Sequence, residues 1–135
     1  MTVKTTARSI EGCSKNIIHL TFEEVSMFVC TVCGYIYDGE DAPENCPKCG
    51  APKEKFDAVA EADAEKIERS RFTNGLHAQL LGLLEEISFV AADGIEDALD
   101  PACVDIFKKA MTLSDEISRS VRAELQGHMK KGKWG

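Results

Sequence analysis

Between Asp63 and Ala92 the apolar positions Phe72, Leu76, Leu80, Leu83, Leu84, Ile87 and Val90 recur at steps of three and four, the period of an amphipathic helix. A second segment of the same kind runs from Pro101 to Met129, with Phe107, Ala110, Met111, Ile117, Val121 and Leu125 on one face. Asp93-Gly94 reads as a turn between them, and Asp100-Pro101 as a helix start, with Asp as cap and Pro at the first helical position. Two helices joined by a short connection form an antiparallel hairpin. Ile67, Leu81 and Phe89 fall roughly opposite the main face of the first helix, beside a strip of small residues, Gly75, Ala78 and Gly82. A hairpin alone leaves such surfaces uncovered, so the pattern predicts that two chains pair into a four-helix bundle. A monomer whose helices fold over the rest of the chain is the alternative.

Upstream of the helices the pattern changes. Residues 27–56 hold four of the six cysteines, three of the four prolines and three of the ten glycines, and no helical period. The chain thus divides into an N-terminal extension (1–26), a compact cysteine domain (27–56) and a helical hairpin (57–135). Residues 1–26 show no clear period and no turn chemistry. Because Glu23-Glu24-Val25 can be encoded by a ribosome-binding sequence just before Met27, the extension is read as an over-extended gene start. A peptide from within it in native cell extract would refute that.

Composition narrows the partners. A net charge of −7 makes nucleic acid and anionic membrane surfaces poor partners and suits a basic docking patch on another protein. The chain has no apolar run long enough for a transmembrane helix and no secretory h-region, so a cytoplasmic protein is expected. In that compartment cysteines are metal ligands or thiols before they are disulfides.

Cys30-x2-Cys33 and Cys46-x2-Cys49 are separated by twelve residues. A two-residue gap lets both thiolates of a pair face one ion from a tight knuckle, and two knuckles complete a sulfur tetrahedron. Soft ligands in that geometry select iron or zinc. Gly34 and Gly50 follow the second cysteine of each pair, where a residue without Cβ permits the turn that aims backbone N–H groups at sulfur. The core candidates around the site are Phe28, Val32, Tyr35, Ile36, Tyr37 and Phe56. They are too few to fold the segment by burial alone, so metal binding supplies much of its folding energy.

The run FVCTVCGYIYDGEDAPENCPKCGAPKEKF resembles the short-loop rubredoxin-like domain of rubrerythrins, in its Cys-x-x-Cys-Gly-Tyr, its short acidic loop and its Cys-Pro-x-Cys-Gly-Ala-Pro-Lys. Phe28 stands where many relatives carry tryptophan. The resemblance implies one Fe(Cys)4 centre per chain and one-electron transfer between a reductase and an acceptor, in the oxidative-stress defence of an anaerobe. The fold expected is mainly α with a small metal-bound β knuckle domain: a rubredoxin-like domain, then the helical hairpin. Zinc in the same knuckles is the rival and would make the chain a structural interaction module.

In rubrerythrins this domain serves a di-iron bundle that uses Glu-x-x-His, a motif the chain lacks. Glu86, Glu124, His77 and His128 could form a non-standard second metal site in a dimer, which would make the chain a peroxide reductase; solvated glutamates and a helix-capping His128 are the simpler reading. No catalytic residue is assigned, and the carrier is expected to be non-enzymatic. Cys103, in the first turn of the second helix, is either a thiol activated by the helix N-terminus or a small packed residue. Cys13 is assigned no role. The basic tail around Trp134 either pairs with its own helix end or docks a partner.

Overall fold

The structure, a computed structural model, describes residues 26–135. Residues 1–25, which hold Cys13 and nearly all of the N-terminal extension, lie outside the described residues. Three short strands come first: β1 (Met27–Cys30), β2 (Ile36–Asp38) and β3 (Phe56–Ala58). They form an antiparallel sheet in the order β2-β1-β3, with Phe28 opposite both Tyr37 and Ala58. Aromatic and β-branched residues favour these strands, but three or four residues each cannot hold a sheet alone.

Two long antiparallel helices follow, α1 (Glu61–Asp97) and α2 (Pro101–Lys130). Asp100 caps α2 by accepting from the Cys103 N–H at 2.8 Å, as its sequence predicts. The expected turn at Asp93-Gly94 is not there, because α1 continues to Asp97. Gly94 serves packing instead: a Cβ built on it would lie 2.3 Å from the Phe107 ring. Gly94→Ala should therefore cost about 1–3 kcal/mol by overpacking. A lower denaturant midpoint at unchanged slope, restored in part by Phe107→Leu, is the expected readout.

The hairpin buries only part of the faces that periodicity marks out: Leu84, Val121 and Leu125. Its seam on α1 is Ile67, Asn74, Leu84 and Ala91, and on α2 Ser114, Val121, Leu125 and His128. Their steps follow a coiled-coil heptad, but the seam includes a serine, an asparagine and a histidine. Phe72, Leu76, Leu80, Leu83, Ile87 and Val90 remain exposed. Ile67, expected opposite the main face, is buried, and Leu81 is half-buried. The small strip at Gly75 and Gly82 meets nothing within 4 Å. Periodicity locates an apolar arc, and here the arc is wider than one helix can cover, so the hairpin buries one side of it and leaves the other exposed.

The C-terminal tail ties the two parts together. At the end of α2 the Lys133 N–H donates to the His128 carbonyl at 2.9 Å, and Gly132 turns the chain with φ +68°. The tail then lies on α1, where Asn74 Nδ2 donates to the Lys133 carbonyl at 2.8 Å and Arg71 Nε to the Gly135 carbonyl at 3.1 Å. Arg71 also pairs with Asp38 of the sheet at 2.9 Å. Gly135 sits so tightly between Ile36 and Ile67 that a Cβ there would be 2.7 Å and 2.9 Å from their side chains. The tail is thus a strap between sheet and hairpin, with Trp134 still 44% exposed. No helix of the described residues is long and apolar enough to cross a membrane.

Candidate metal centre

The two knuckles repeat one another bond for bond. Gly34 N–H donates to the Cys30 carbonyl and Gly50 N–H to the Cys46 carbonyl, each at 2.8 Å. Cys30 N–H donates to the Tyr35 carbonyl at 2.9 Å, and Cys46 N–H to the Ala51 carbonyl at 2.8 Å. Gly34 and Gly50 take φ +73° and +74°, the left-handed conformation that their place after each pair calls for. The turn just before β3 fixes one knuckle, since both the N–H and the hydroxyl of Thr31 donate to the Lys55 carbonyl.

The four Sγ atoms of Cys30, Cys33, Cys46 and Cys49 all lie within 4.8 Å of one another. Cys30 Sγ is 3.7 Å from Cys49 Sγ, and Cys33 Sγ is 3.6 Å from Cys46 Sγ. A tetrahedron with metal–sulfur bonds of about 2.3 Å has edges of about 3.8 Å, so the donors are spaced for one four-coordinate ion. Backbone N–H groups reach the sulfurs, from Tyr35 to Cys33 and from Cys49 and Lys48 to Cys46. Such donors spread thiolate charge.

The electrostatics show why the group needs a cation. Burial pushes the Cys33 thiol up, and the neighbouring cysteines add to it against the Tyr35 N–H, to about 12. Burial also acts on Cys46, but the N–H groups of Cys49 and Lys48 and the adjacent thiols of Cys33 and Cys49 outweigh it and draw it down to about 6. Sulfurs this close cannot all ionise alone, whereas a divalent or trivalent ion between them stabilises every thiolate. The donor set fits iron or zinc.

Burial is uneven around the site. Cys30 and Cys46 are buried with Phe56 in a small core that Phe28, Tyr35 and Tyr37 flank. Cys49 is exposed and Cys33 half-buried, so one edge of the sulfur tetrahedron reaches the surface. Val32, a core candidate in the sequence, is 61% exposed on that edge. It occupies an inner position of a two-residue knuckle, where the turn directs side chains outward.

The hairpin candidates gather only in part. His128 Nε2 lies 3.1 Å from Glu124 and its Nδ1 lies 2.6 Å from Asn74 Oδ1. The His77 ring stands edge-on to it at 6.2 Å. Both ring nitrogens of His128 are therefore engaged within the chain. Glu86 is elsewhere, on a groove between the helices with Ile87 and Ile106. Among the described residues, the one group of three or more metal-type side chains within mutual reach is the four cysteines. Asn74 was not singled out from sequence; a lone amide at a heptad seam position was its signal. Cys103 is not activated. The Asp100 carboxylate accepts its S–H at 3.3 Å and, with burial, raises the thiol pKa.

Residues 28–57 match the family model described as the rubredoxin-like domain of rubrerythrin. Reverse rubrerythrin-1 of Clostridium acetobutylicum is 44% identical over 75 residues, covering 48% of this chain and 41% of that protein. Rubrerythrin-1 of the same organism is 41% identical over 39 residues, 29% of this chain and 20% of its own length. Rubrerythrin of Nitratidesulfovibrio vulgaris is 43% identical over 37 residues, 27% of this chain and 19% of its own. The chain thus spans less than half the length of these curated relatives. No solved structure matches it.

Proposed function

We propose that this chain, whose residues 28–57 form a rubredoxin-like domain of the rubrerythrin type, is a one-electron carrier with a single Fe(Cys)4 centre. The observation that carries the reading is the sulfur tetrahedron with one edge at the surface. Cys30, Cys33, Cys46 and Cys49 would hold the iron, which supplies a ferric–ferrous couple when bound. The paired knuckles hold the sulfurs in place through backbone bonds, so little rearrangement accompanies a change of charge. Buried Cys30 and Cys46 exclude water from one side, and the Cys49 edge brings a partner within electron-transfer distance. Iron and zinc suit the same geometry, and the rubrerythrin-type match supports iron.

The partners are a reductase and an oxidised acceptor in the cytoplasm of an anaerobe, in its defence against oxidants. A net charge of −7 directs the chain to a basic patch on such partners. Reductive titration of the iron-loaded chain should take up one electron per chain and return it to an added oxidant. Its reduction by a partner reductase should slow as salt rises, since screening weakens the steering. A redox-silent metal centre would sink the proposal, and a salt-independent rate would remove the basic partner from it.

A further inference from the structure

The described residues leave one long apolar face without a cover. On α1, Leu76, Leu80, Leu83, Ile87 and Val90 follow steps of four, three, four and three. On α2, Ile106, Ala110, Leu113 and Ile117 follow steps of four, three and four. Of these, all but the half-buried Ala110 are exposed, Leu83 to 62% and Ile106 to 66%. Both stripes border one groove of about 500 Å³ whose floor is Ala91 and Phe107. Each helix therefore carries two adjacent heptad seams: one is used within the hairpin, and the other matches it in period and lies open.

We infer that a second copy of this chain covers this face and completes a four-helix bundle, related by a two-fold axis parallel to the helices. The period selects a helical occupant, because knobs spaced by heptads need holes spaced by heptads. The stripe on α1 runs about 21 Å from Leu76 to Val90 and that on α2 about 17 Å, at a rise of about 1.5 Å per residue and about 10 Å of width per helix. Together they present about 380 Å² in projection, within the range of the largest patch a monomer shows. Two such faces with their side-chain relief bury about 1,000 Å², where specific interfaces begin. Residues 1–25, the other segment of the chain that could lie there, offer a single stripe at heptad spacing (Val3, Ile10, Cys13, Ile17 and Leu20), whereas the exposed face has two stripes side by side that the hairpin of a second copy matches one for one.

The direction of the axis follows from where each stripe is apolar. Gly94 packs on Phe107 and Asn74 is bonded to His128, so levels on the two helices correspond along the hairpin. On α2 the stripe turns polar after Ile117, at Ser120 and Glu124. An axis across the helices would set α1 against its own copy. Centring its stripe that way places Leu113 and Ile117 of α2 against those polar positions. An axis along the helices sets α1 against α2 of the second copy at the same level, with Leu83 on Ile117 and Ile87 on Leu113. Both metal domains then stand at one end of the bundle.

The test uses the full metal-loaded chain. Sedimentation at micromolar concentration should give twice the 14.8 kDa chain mass. Leu83→Glu and Ile117→Glu should each return it to one chain with metal content unchanged. Ile87→Cys and Leu113→Cys chains, mixed and oxidised, should cross-link 87 to 113. A monomeric wild type would overturn the inference, as would a dimer that survives both glutamates. A monomer that dimerises only when residues 1–25 are removed would give the face to that segment. Cross-links of 87 to 87 would overturn the axis. None of these readouts depends on the redox behaviour of the centre, so the carrier reading stands or falls separately.

Discussion

Cys46→Ser should abolish metal binding and unfold residues 27–58 while the helices persist. Cys46 forms the buried cluster at the site with Cys30 and Phe56. The strands it joins are three or four residues long, and a sheet of that size lacks the burial to stand alone. The loss is thus of a ligand, of a core side chain and of the charge balance among the remaining thiolates at once. Domains of this kind fold with their metal, so the metal's binding energy is folding energy. Near-ultraviolet dichroism from Tyr35 and Tyr37 should vanish, while the helical far-ultraviolet signal is largely retained. Chelation of the wild type at acid pH should reproduce the phenotype, because protons compete with the metal for the thiolates. A Cys46→Ser chain with wild-type metal content would show that the site is not the tetrahedron described.

Asn74→Ala should loosen the strap and cost about 1–3 kcal/mol, chiefly the penalty of leaving the buried His128 Nδ1–H without its partner, with the half-buried Lys133 carbonyl adding less. Asn74 is 7% exposed, and its amide serves two partners, its Oδ1 accepting from His128 Nδ1–H at 2.6 Å and its Nδ2 donating to the Lys133 carbonyl at 2.8 Å. Removing it takes away one of the bonds that hold the tail on α1 and leaves the Arg71 bond to the Gly135 carbonyl to keep Gly135 wedged between sheet and helix. The expected signature is early proteolysis after Lys130 or Lys131 together with a lower unfolding midpoint. His128→Ala in the same background should cost less than it does alone, because the two side chains share a bond. Additive costs would mean that the pair does not act as a unit.

These two sites differ in how far the sequence discloses them. The cysteine spacing and the glycine after each pair specify the tetrahedron directly, because a knuckle is a local structure whose geometry is set by a handful of consecutive residues. The helices and the Asp100 cap are legible for the same reason. What periodicity does not disclose is which part of a wide apolar arc packs within the chain. Ile67 and Ala91 take the seam and Leu83 and Val90 do not, a choice that depends on which side of the arc the other helix covers. Gly94 shows the same limit: its residue type signals a turn, and its neighbour Phe107, distant in sequence, gives it another use. The Asn74 bridge lies further still from sequence reading, since its partners come from α2 and from the tail that follows it.

The central claim, a one-electron iron centre, is tested most directly by the absorption spectrum of the protein from its native host, before and after dithionite, with metal counted per chain. A red protein with one iron per chain that bleaches on reduction and recovers in an oxidant is the predicted result. A colourless protein holding one zinc would contradict it and make the knuckles a structural support for the helices; iron well above one per chain would contradict the single-centre account and point to a second site in the bundle.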